Sequence, residues 1–340
     1  MTHRAAVLAV DGGGSKIDAA LVRRDGTVLG AARTHVRDAD EYGSERHMGH
    51  VVDAVAAACA DADLDVRFPV AEMGVYCLAG ADLPVDDRRI ARWLTARGIT
   101  GEEVVRNDTF AVLRAGTERS WGVGVVCGHG INCSGVAPDG RITRFPSVGM
   151  LSGDWGGGTD LGQAAMWHAI RAEDGRGGKT ALAAMVPQHF GFKRPRQVLE
   201  AMYFGRLEEE RLSELAPTVF QAAMQGDEVA RSITDRQADE VVALAGTAIR
   251  RLRMTKLDVD VVLGGGIFRN DDEPFFERIL QGLEAVAPNV RVQVLTAPPV
   301  IGAALIGLDH LGAPRTAQAR LRRGLTHERL TPETHPIRKE

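Results

Sequence analysis

Short apolar runs separated by glycine turns dominate the pattern of this chain. Residues 5–10 are apolar, the hexapeptide Asp-Gly-Gly-Gly-Ser-Lys occupies 11–16, and a second, mostly apolar run occupies 17–22. A third run begins at Thr27, directly after Asp25-Gly26. Because Asp-Gly between alternating apolar runs is a strong hairpin signal, the pattern predicts three successive antiparallel strands.

The same arrangement recurs near the middle of the chain. An apolar run at 121–127 is followed by Gly-His-Gly at 128–130, a run at 131–136, Asp-Gly at 139–140 and a run at 141–145. Two copies of one pattern predict two similar half-domains that face a shared cleft. Glycine turns matter there, because they let backbone N–H groups approach a phosphate closely.

Helices and buried strands follow each copy, which predicts an α/β fold with mixed sheets. The predicted helices cover 44–59, 86–97, 109–116, a long stretch 161–245 broken at 175–179 and 191–195, then 237–252, 275–286 and 301–311. The predicted strands cover 73–78, 104–105, 259–263 and 290–295. We expect a first domain at 1–115 with a returning helix at 299–312, a second domain at 116–298, and a charged tail at 313–340.

Composition narrows the functional classes. The 340 residues include 44% hydrophobic and 25% charged residues, with a net charge of −4, which does not favour a nucleic-acid partner. No apolar run reaches the roughly 18 residues that a membrane helix needs. The four cysteines form no disulfide framework, so we expect a cytoplasmic protein.

The turn at 11–16 is a candidate phosphate site. It lacks the spacing of a P-loop, and a strand rather than a helix follows it, which excludes a dinucleotide fingerprint. Its N–H groups could still line a phosphate, with Lys16 adding a charge, Ser15 a hydroxyl, and Asp11 a carboxylate for Mg²⁺. The alternative is a tight turn without a ligand.

The other two glycine turns are weaker signals. Gly-His-Gly at 128–130 is open to interpretation as a simple turn, and a metal site from Cys127, His129 and Cys133 lacks a fourth ligand. Gly-Gly-Gly at 264–266 follows a predicted strand and would let backbone approach a nucleoside, or would only allow a close contact between helix and strand.

Two aspartates are candidate site residues. Asp108 follows a buried strand, where it would accept a proton from a substrate hydroxyl, or else cap the next helix. Asp154 lies in a glycine-dense loop and would bind sugar hydroxyls, with Trp155 stacking on a ring. The alternative is a loop whose Asp154 caps the helix that follows.

With these residues in hand, the chain resembles the N-acetylglucosamine kinase branch of the sugar kinase, heat-shock chaperone ATPase and actin superfamily. It is also similar to the ATPases that activate benzoyl-CoA reductases and hydroxyacyl-CoA dehydratases. The resemblance covers about 7–311 and rests on several motifs in the right order. It implies two ribonuclease-H-like (actin-like ATPase) domains that flank a nucleotide cleft, with ATP and Mg²⁺ bound there.

The resemblance assigns roles to particular positions. The residues that would bind the ATP phosphates are Gly12, Gly13, Gly14, Ser15, Lys16, Gly128, His129 and Gly130. Those that would bind adenosine are Gly264, Gly265 and Gly266. Those that would bind the sugar are Asn107, Asp108, Asn132, Asp154 and Asp38, with Asp108 as the catalytic base and Asp11 as the metal ligand. The peptide Gln-Gly-Asp at 225–227 matches a helix start of these kinases.

The chain departs from the family pattern in three places. Gly-His-Gly-Ile at 128–131 replaces the usual Gly-Thr-Gly-Ser, and Trp155 replaces an acidic residue. Asp38 replaces a sugar-binding asparagine, within an acidic loop. One hypothesis is therefore a substrate with a free amine, such as glucosamine or an aminocyclitol; the alternative is that residues 38–41 are simply solvated.

The predicted reaction is ATP-dependent phosphorylation of a hydroxyl group on an amino sugar, which is the expected small-molecule substrate. Whether the protein forms a homodimer is left open. The main alternative is an ATPase that activates a partner enzyme, which would need cysteines for an iron–sulfur cluster at a dimer interface. A sugar-responsive repressor would need a helix-turn-helix, and none precedes the first predicted strand.

Overall fold

The computed structural model describes residues 5–36 and 44–330. The chain divides into two compact units, called here the first unit and the second unit. The first unit comprises the described residues up to Trp121 and from Leu295 onward, and the second unit comprises Gly122–Val294. The limits of folding domains predicted from the sequence stay predictions, because compactness alone does not test them.

Each unit contains one five-stranded sheet, and the two sheets have the same strand order. The strands are Ala5–Gly12 (β1), Lys16–Val22 (β2), Val28–His35 (β3), Ala71–Leu78 (β4), Thr100–Arg106 (β5), Gly122–Cys127 (β6), Ile131–Val136 (β7), Ile142–Arg144 (β8), Asp260–Gly264 (β9) and Arg291–Val294 (β10). The orders are β3-β2-β1-β4-β5 and β8-β7-β6-β9-β10. In both, the first three strands are antiparallel and the last two run parallel to the first. The duplicated pattern in the sequence therefore corresponds to a duplicated sheet.

The helices connect and cover these strands. They are Glu45–Asp61 (α1), Pro84–Arg97 (α2), Asp108–Gly116 (α3), Gly158–Asp174 (α4), Leu182–His189 (α5), Pro195–Tyr203 (α6), Ala216–Met224 (α7), Glu228–Arg251 (α8), Glu273–Glu284 (α9), Val300–His310 (α10), Arg315–Gly324 (α11) and His327–Leu330 (α12). In the described residues, no helix is long and apolar enough to cross a membrane.

The sheet of the first unit is covered on both faces. From Val7 to Val10, successive residues of β1 alternate between two separate core clusters, Leu8 with residues of α1 and Val7 with residues of α10. This explains why β1 is apolar at every position from 5 to 10 rather than at alternate positions. Gly302 of α10 packs so closely on α3 that a Cβ atom would lie 1.8 Å from the carbonyl oxygen of Ala111.

The helical stretch of the second unit differs from the prediction in its internal breaks. A 3₁₀ segment, Glu209–Leu215, separates α6 from α7. A new helix, α8, begins at Glu228, where the side chain of Asp227 accepts a hydrogen bond of 2.8 Å from the N–H of Ala230. The Gln-Gly-Asp peptide at 225–227 is thus a helix start, and the helix predicted at 237–252 is the second half of α8.

The segment after Gly312 is more ordered than its charge suggests. Leu321 of α11, Leu330 of α12 and Leu325 between these helices are buried in the same core cluster as α10. Arg322 donates hydrogen bonds to the carbonyl oxygens of Arg114 and Thr117 at the end of α3, at 3.0 and 2.7 Å. The described part of the predicted tail is therefore docked on the first unit.

Candidate active site

The first glycine turn joins β1 to β2 in the first unit. The N–H of Gly13 donates a hydrogen bond of 3.0 Å to the carbonyl oxygen of Lys16, which closes the turn. Within the described residues, the N–H groups of Gly14 and Ser15 donate to no protein acceptor. Gly12 touches Leu78, because a Cβ atom there would lie 2.6 Å from the side chain of that residue. The turn therefore has two consecutive N–H groups available for an anion.

A row of charged side chains crosses the sheet beside this turn. Asp11 of β1 is directly opposite Asp18 of β2, which is directly opposite Arg33 of β3. Arg33 donates two hydrogen bonds of 2.7 Å to Asp18, and the ammonium group of Lys16 lies 3.6 Å from the same carboxylate. Burial raises the pKa of Asp11 well above its usual value, and the negative charges of Asp18 and Asp108 raise it further.

Asp108 lies in the first turn of α3. The helix cap is Asn107, whose side-chain oxygen accepts a hydrogen bond of 3.1 Å from the N–H of Thr109. The interpretation of Asp108 as the cap is therefore wrong: the preceding residue takes that role. Burial raises the pKa of Asp108 to about 6, although hydrogen bonds from backbone N–H groups oppose the shift. A carboxyl group with this pKa is ionised at neutral pH and accepts a proton readily.

Asp82 is a site residue that the sequence did not reveal. Its carboxylate accepts a hydrogen bond of 3.0 Å from the side-chain amide of Asn107, which also donates one of 3.3 Å to the carbonyl oxygen of Ala79. Asp82 thus fixes the amide orientation of Asn107, the residue that begins the helix carrying Asp108. Nothing in the spacing of Asp82 distinguishes it from a loop aspartate.

The second glycine turn joins β6 to β7 in the second unit, and the start of α4 supports it. The N–H groups of Gly158 and Thr159 donate hydrogen bonds of 2.8 and 3.0 Å to the carbonyl oxygens of Gly128 and His129. His129 and Gly130 are exposed. Across the part of the chain that the structure describes, their N–H groups donate to no protein acceptor. Like the first turn, this one presents two consecutive donors.

The third glycine turn lies against the second. Parallel pairing sets Val126 of β6 beside Gly264 of β9. A Cβ atom on Gly265, whose φ is +105°, would lie 2.2 Å from the carbonyl oxygen of Cys127. Only glycine fits this backbone conformation and this contact. The structure therefore brings the candidate phosphate turn and the candidate adenosine turn of the second unit together.

Asp154 lines a pocket with a volume of about 60 Å³ in the second unit. The lining residues are Gly130, Ile131, Ser147, Gly149, Asp154, Gly156 and Asp160. Asp154 is buried and accepts a hydrogen bond from the hydroxyl of Ser152. The cap of α4 is Gly157, so the interpretation of Asp154 as a helix cap is wrong. The pocket is small, and the two carboxylates and one hydroxyl in its lining are groups that can bind sugar hydroxyls.

Other predicted residues have partners of their own. The side chain of Asn132, in β7, accepts a hydrogen bond of 2.7 Å from the N–H of Cys133. One face of Trp155 is covered by the guanidinium group of Arg236, 3.9 Å from the ring centre, so that face is not free for a sugar. Asp38 lies outside the described residues. Among the described residues, no group of three or more His, Cys, Asp or Glu side chains is arranged to hold a metal ion.

Known proteins resemble this chain over most of its length. A sequence profile of the BadF/BadG/BcrA/BcrD ATPase family matches residues 8–307. The N-acetyl-D-glucosamine kinase of Dictyostelium discoideum is 25% identical over 320 residues, which cover 89% of this chain and 97% of that protein. The N-acetylmuramic acid/N-acetylglucosamine kinase of Clostridium acetobutylicum is 27% identical over 237 residues, which cover 69% of this chain and 77% of that protein. The resemblance seen in the sequence motifs is confirmed.

The fold also has solved counterparts. A crystal structure from Chromobacterium violaceum, provisionally described as an N-acetylglucosamine kinase, has a TM-score of 0.69 and 22% identity. The similarity covers 89% of this chain and 99% of that chain. Together with the two matching sheets, it confirms the predicted α/β fold with two ribonuclease-H-like domains.

Proposed function

Because the chain belongs to the BadF/BadG/BcrA/BcrD ATPase family, we propose that it is an ATP-dependent kinase that phosphorylates a hydroxyl group of a hexosamine-type sugar. The observation that carries the proposal is the position of Asp108. This carboxyl group has a pKa of about 6, and its negative charge raises the pKa of Asp11, at the edge of the first glycine turn. Two related proteins named as N-acetylglucosamine kinases support the sugar acceptor.

The proposed reaction uses Asp108 as a general base. A sugar hydroxyl donates its proton to the carboxylate of Asp108 as its oxygen bonds to the γ-phosphorus of ATP. The bond between that phosphorus and the β–γ bridging oxygen breaks, and ADP leaves. Such transfer depends mainly on positioning and electrostatic stabilisation, for which the N–H groups of Gly14 and Ser15 are suited.

Mg²⁺ fits the residues beside the first turn. Asp11 is buried near two other carboxylates, Asp18 and Asp108, so a divalent cation would relieve their mutual repulsion. Mg²⁺ is commonly held by one or two carboxylates, waters and substrate phosphates rather than by a full set of protein ligands. When bound, it supplies charge neutralisation for the phosphates. We propose Asp11 as the residue that holds it.

In the second unit, the turns at 128–130 and 264–266 are proposed to bind the nucleotide through backbone groups. The loss of the family's hydroxyl side chains at 129 and 131 leaves the N–H groups of His129 and Gly130 as phosphate donors. Asn132 and Asp154 are proposed to bind the sugar, and Asp154 lines the pocket described above. The identity of Asp38 keeps a free-amine substrate open, and this hypothesis stays a prediction.

The alternative function, activation of a partner enzyme, has less support. All four cysteines are buried, which does not suit an iron–sulfur cluster shared at a surface between subunits. A colourless purified protein would agree with the kinase, whereas a brown protein would favour the activator. Since ATP is the proposed phosphoryl donor, we propose a cytoplasmic enzyme. The homodimer stays a prediction, which a molar mass from light scattering would test.

A sugar screen tests the proposed function. ADP formation from Mg·ATP is measured with N-acetylglucosamine, glucosamine, N-acetylmuramic acid and glucose, beside a reaction without sugar. We expect at least one amino sugar to raise ADP formation and to yield its phosphate ester by mass spectrometry. ADP formation that no sugar changes would contradict the kinase. Turnover of N-acetylglucosamine without turnover of any free amine would contradict the amine hypothesis alone.

A further inference from the structure

Gln237 is a fully buried polar residue in the middle of α8. Its side-chain oxygen accepts a hydrogen bond of 2.7 Å from the N–H of Gly157. Its side-chain NH₂ group donates to the Sγ atom of Cys127 at 3.6 Å. A buried amide is costly unless both of its ends are satisfied, so this pair of bonds specifies one orientation of the side chain.

The two partners of Gln237 belong to segments that hold the second glycine turn. Cys127 is the residue before the turn. Gly157 precedes Gly158 and Thr159, whose N–H groups donate to carbonyl oxygens of the turn. Gln237 therefore joins both sides of the turn to one helix. Burial raises the pKa of the Cys127 thiol, so the acceptor for the amide is the sulfur of a neutral thiol.

The side chain of Gln237 and the loop beside it are closely packed. A Cβ atom on Gly156 would lie 2.8 Å from the side-chain oxygen of Gln237. A Cβ atom on Gly157 would lie 2.5 Å from the carbonyl oxygen of Gly130. A shift of the Gln237 side chain would therefore move the loop, and the loop would move the turn, because closely packed groups transmit displacement.

We propose that Gln237 is a positioning residue that holds the turn of Gly128, His129 and Gly130 in the geometry that binds the phosphates of ATP. The inference rests on the proposed function only for the identity of the ligand. Gln237 does not itself need to touch the nucleotide. Its effect is expected in nucleotide affinity, through the exposed N–H groups of His129 and Gly130.

The test compares Gln237→Met with Gln237→Glu by isothermal titration calorimetry with Mg·ATP. Methionine fills a similar volume but makes neither hydrogen bond, so the dissociation constant should rise about tenfold or more, the loss of about one charge-assisted bond. Glutamic acid in a buried site has a raised pKa, and its neutral form offers an oxygen acceptor and an O–H donor like those of the amide.

The pH dependence separates positioning from general destabilisation. At pH 5.5 the affinity of the Gln237→Glu variant for Mg·ATP should be within about threefold of that of the unaltered protein at the same pH. At pH 8 the variant should bind more weakly relative to the unaltered protein, because the carboxyl group ionises. The Gln237→Met variant should show no such trend. Gln221→Met, an exposed change on α7, is the matched control and should leave affinity unchanged.

The possible results bear on the positioning role of Gln237 and on the kinase function separately. Binding of Mg·ATP by Gln237→Met at the affinity of the unaltered protein would overturn the positioning role. If Gln237→Met fails to fold, the change of the Gln237→Glu ratio with pH decides instead, and a constant ratio overturns the proposal. Nucleotide binding without phosphorylation of any sugar would overturn the kinase but not the role of Gln237. An unaltered protein that binds no Mg·ATP would overturn both.

Discussion

Arg33 donates two parallel hydrogen bonds of 2.7 Å to the carboxylate of Asp18, which has no solvent exposure. Asp18 is in turn directly opposite Asp11 across the β1–β2 pair. The positive charge of Arg33 therefore compensates a buried negative charge beside the candidate metal ligand. Bidentate pairing of this kind fixes geometry as well as charge.

Removal of Arg33 alone should be strongly destabilising. Arg33→Met leaves Asp18 buried and without its main counter-charge, and we expect a fall of about 3 kcal/mol in the free energy of unfolding. The double variant Arg33→Met, Asp18→Asn should recover much of that loss, because the buried charge is gone. Urea denaturation measures both values. Equal destabilisation of the single and double variants would show that lost packing, rather than the unpaired charge, dominates.

Asp108→Asn should abolish the proton transfer while keeping the shape of the site. We expect the turnover number to fall by about 10² or more, and Mg·ATP affinity by calorimetry to stay nearly unchanged. Asp65→Asn, an exposed carboxylate in the same unit, is the control and should keep full turnover. An Asp108→Asn enzyme with near-native turnover would end the assignment of the base.

The pKa of Asp108 sets an acidic limit to activity. A base must be ionised, and a pKa of about 6 means that about a tenth of the enzyme is ionised at pH 5. The value of kcat/KM should therefore rise roughly tenfold between pH 5 and pH 7, under saturating Mg²⁺. Asp108→Glu should shift the pH at which kcat/KM rises, whereas a rise caused by titration of ATP would occur at the same pH in this variant. A profile that is flat down to pH 4.5 would rule out Asp108 as the titrating group.

Gly157 and Gly153 form a natural pair for testing the support of the second turn. Both have positive φ angles, +84° and +79°, so alanine strains the backbone at either position. Only at Gly157 would the new Cβ atom meet the second turn, 2.5 Å from the carbonyl oxygen of Gly130. We expect Gly157→Ala to weaken Mg·ATP binding by about tenfold or more, the loss of about one charge-assisted hydrogen bond, and Gly153→Ala to leave it near native. Equal losses of Mg·ATP affinity in the two variants would show that backbone strain alone causes the effect.

The sequence predicted the repeated strand order because its signals are local. The Asp-Gly turns at 25–26 and 139–140 and the apolar runs beside them specify hairpins without reference to distant residues. The helix after Asn107 was also predictable. Its exact cap was not, because asparagine and aspartate are both good caps and only the backbone decides between neighbours.

The interactions that the sequence did not reveal join distant positions. Asp18 interrupts an otherwise apolar strand, which is a signal for a buried charge. Its partner Arg33 can be identified only when the register of β2 and β3 is known. Gln237 has no local signal, since an amide in a long helix is usually solvated. The spacing of Ala317, Leu321 and Leu325 at every fourth residue could have indicated the docked helix, but the surrounding arginines obscured it.

The return of α10 to the first unit has a consequence for the order in which the protein is made. The second unit is one continuous segment, Gly122–Val294, so all of it leaves the ribosome before α10 does. The core of the first unit needs Leu305 and Leu308 beside strands synthesised almost 300 residues earlier, as in the contact of α10 with β1. Domains generally fold as units during synthesis. The inserted unit can therefore complete its fold first, while one apolar face of the N-terminal sheet stays uncovered until α10 has been synthesised.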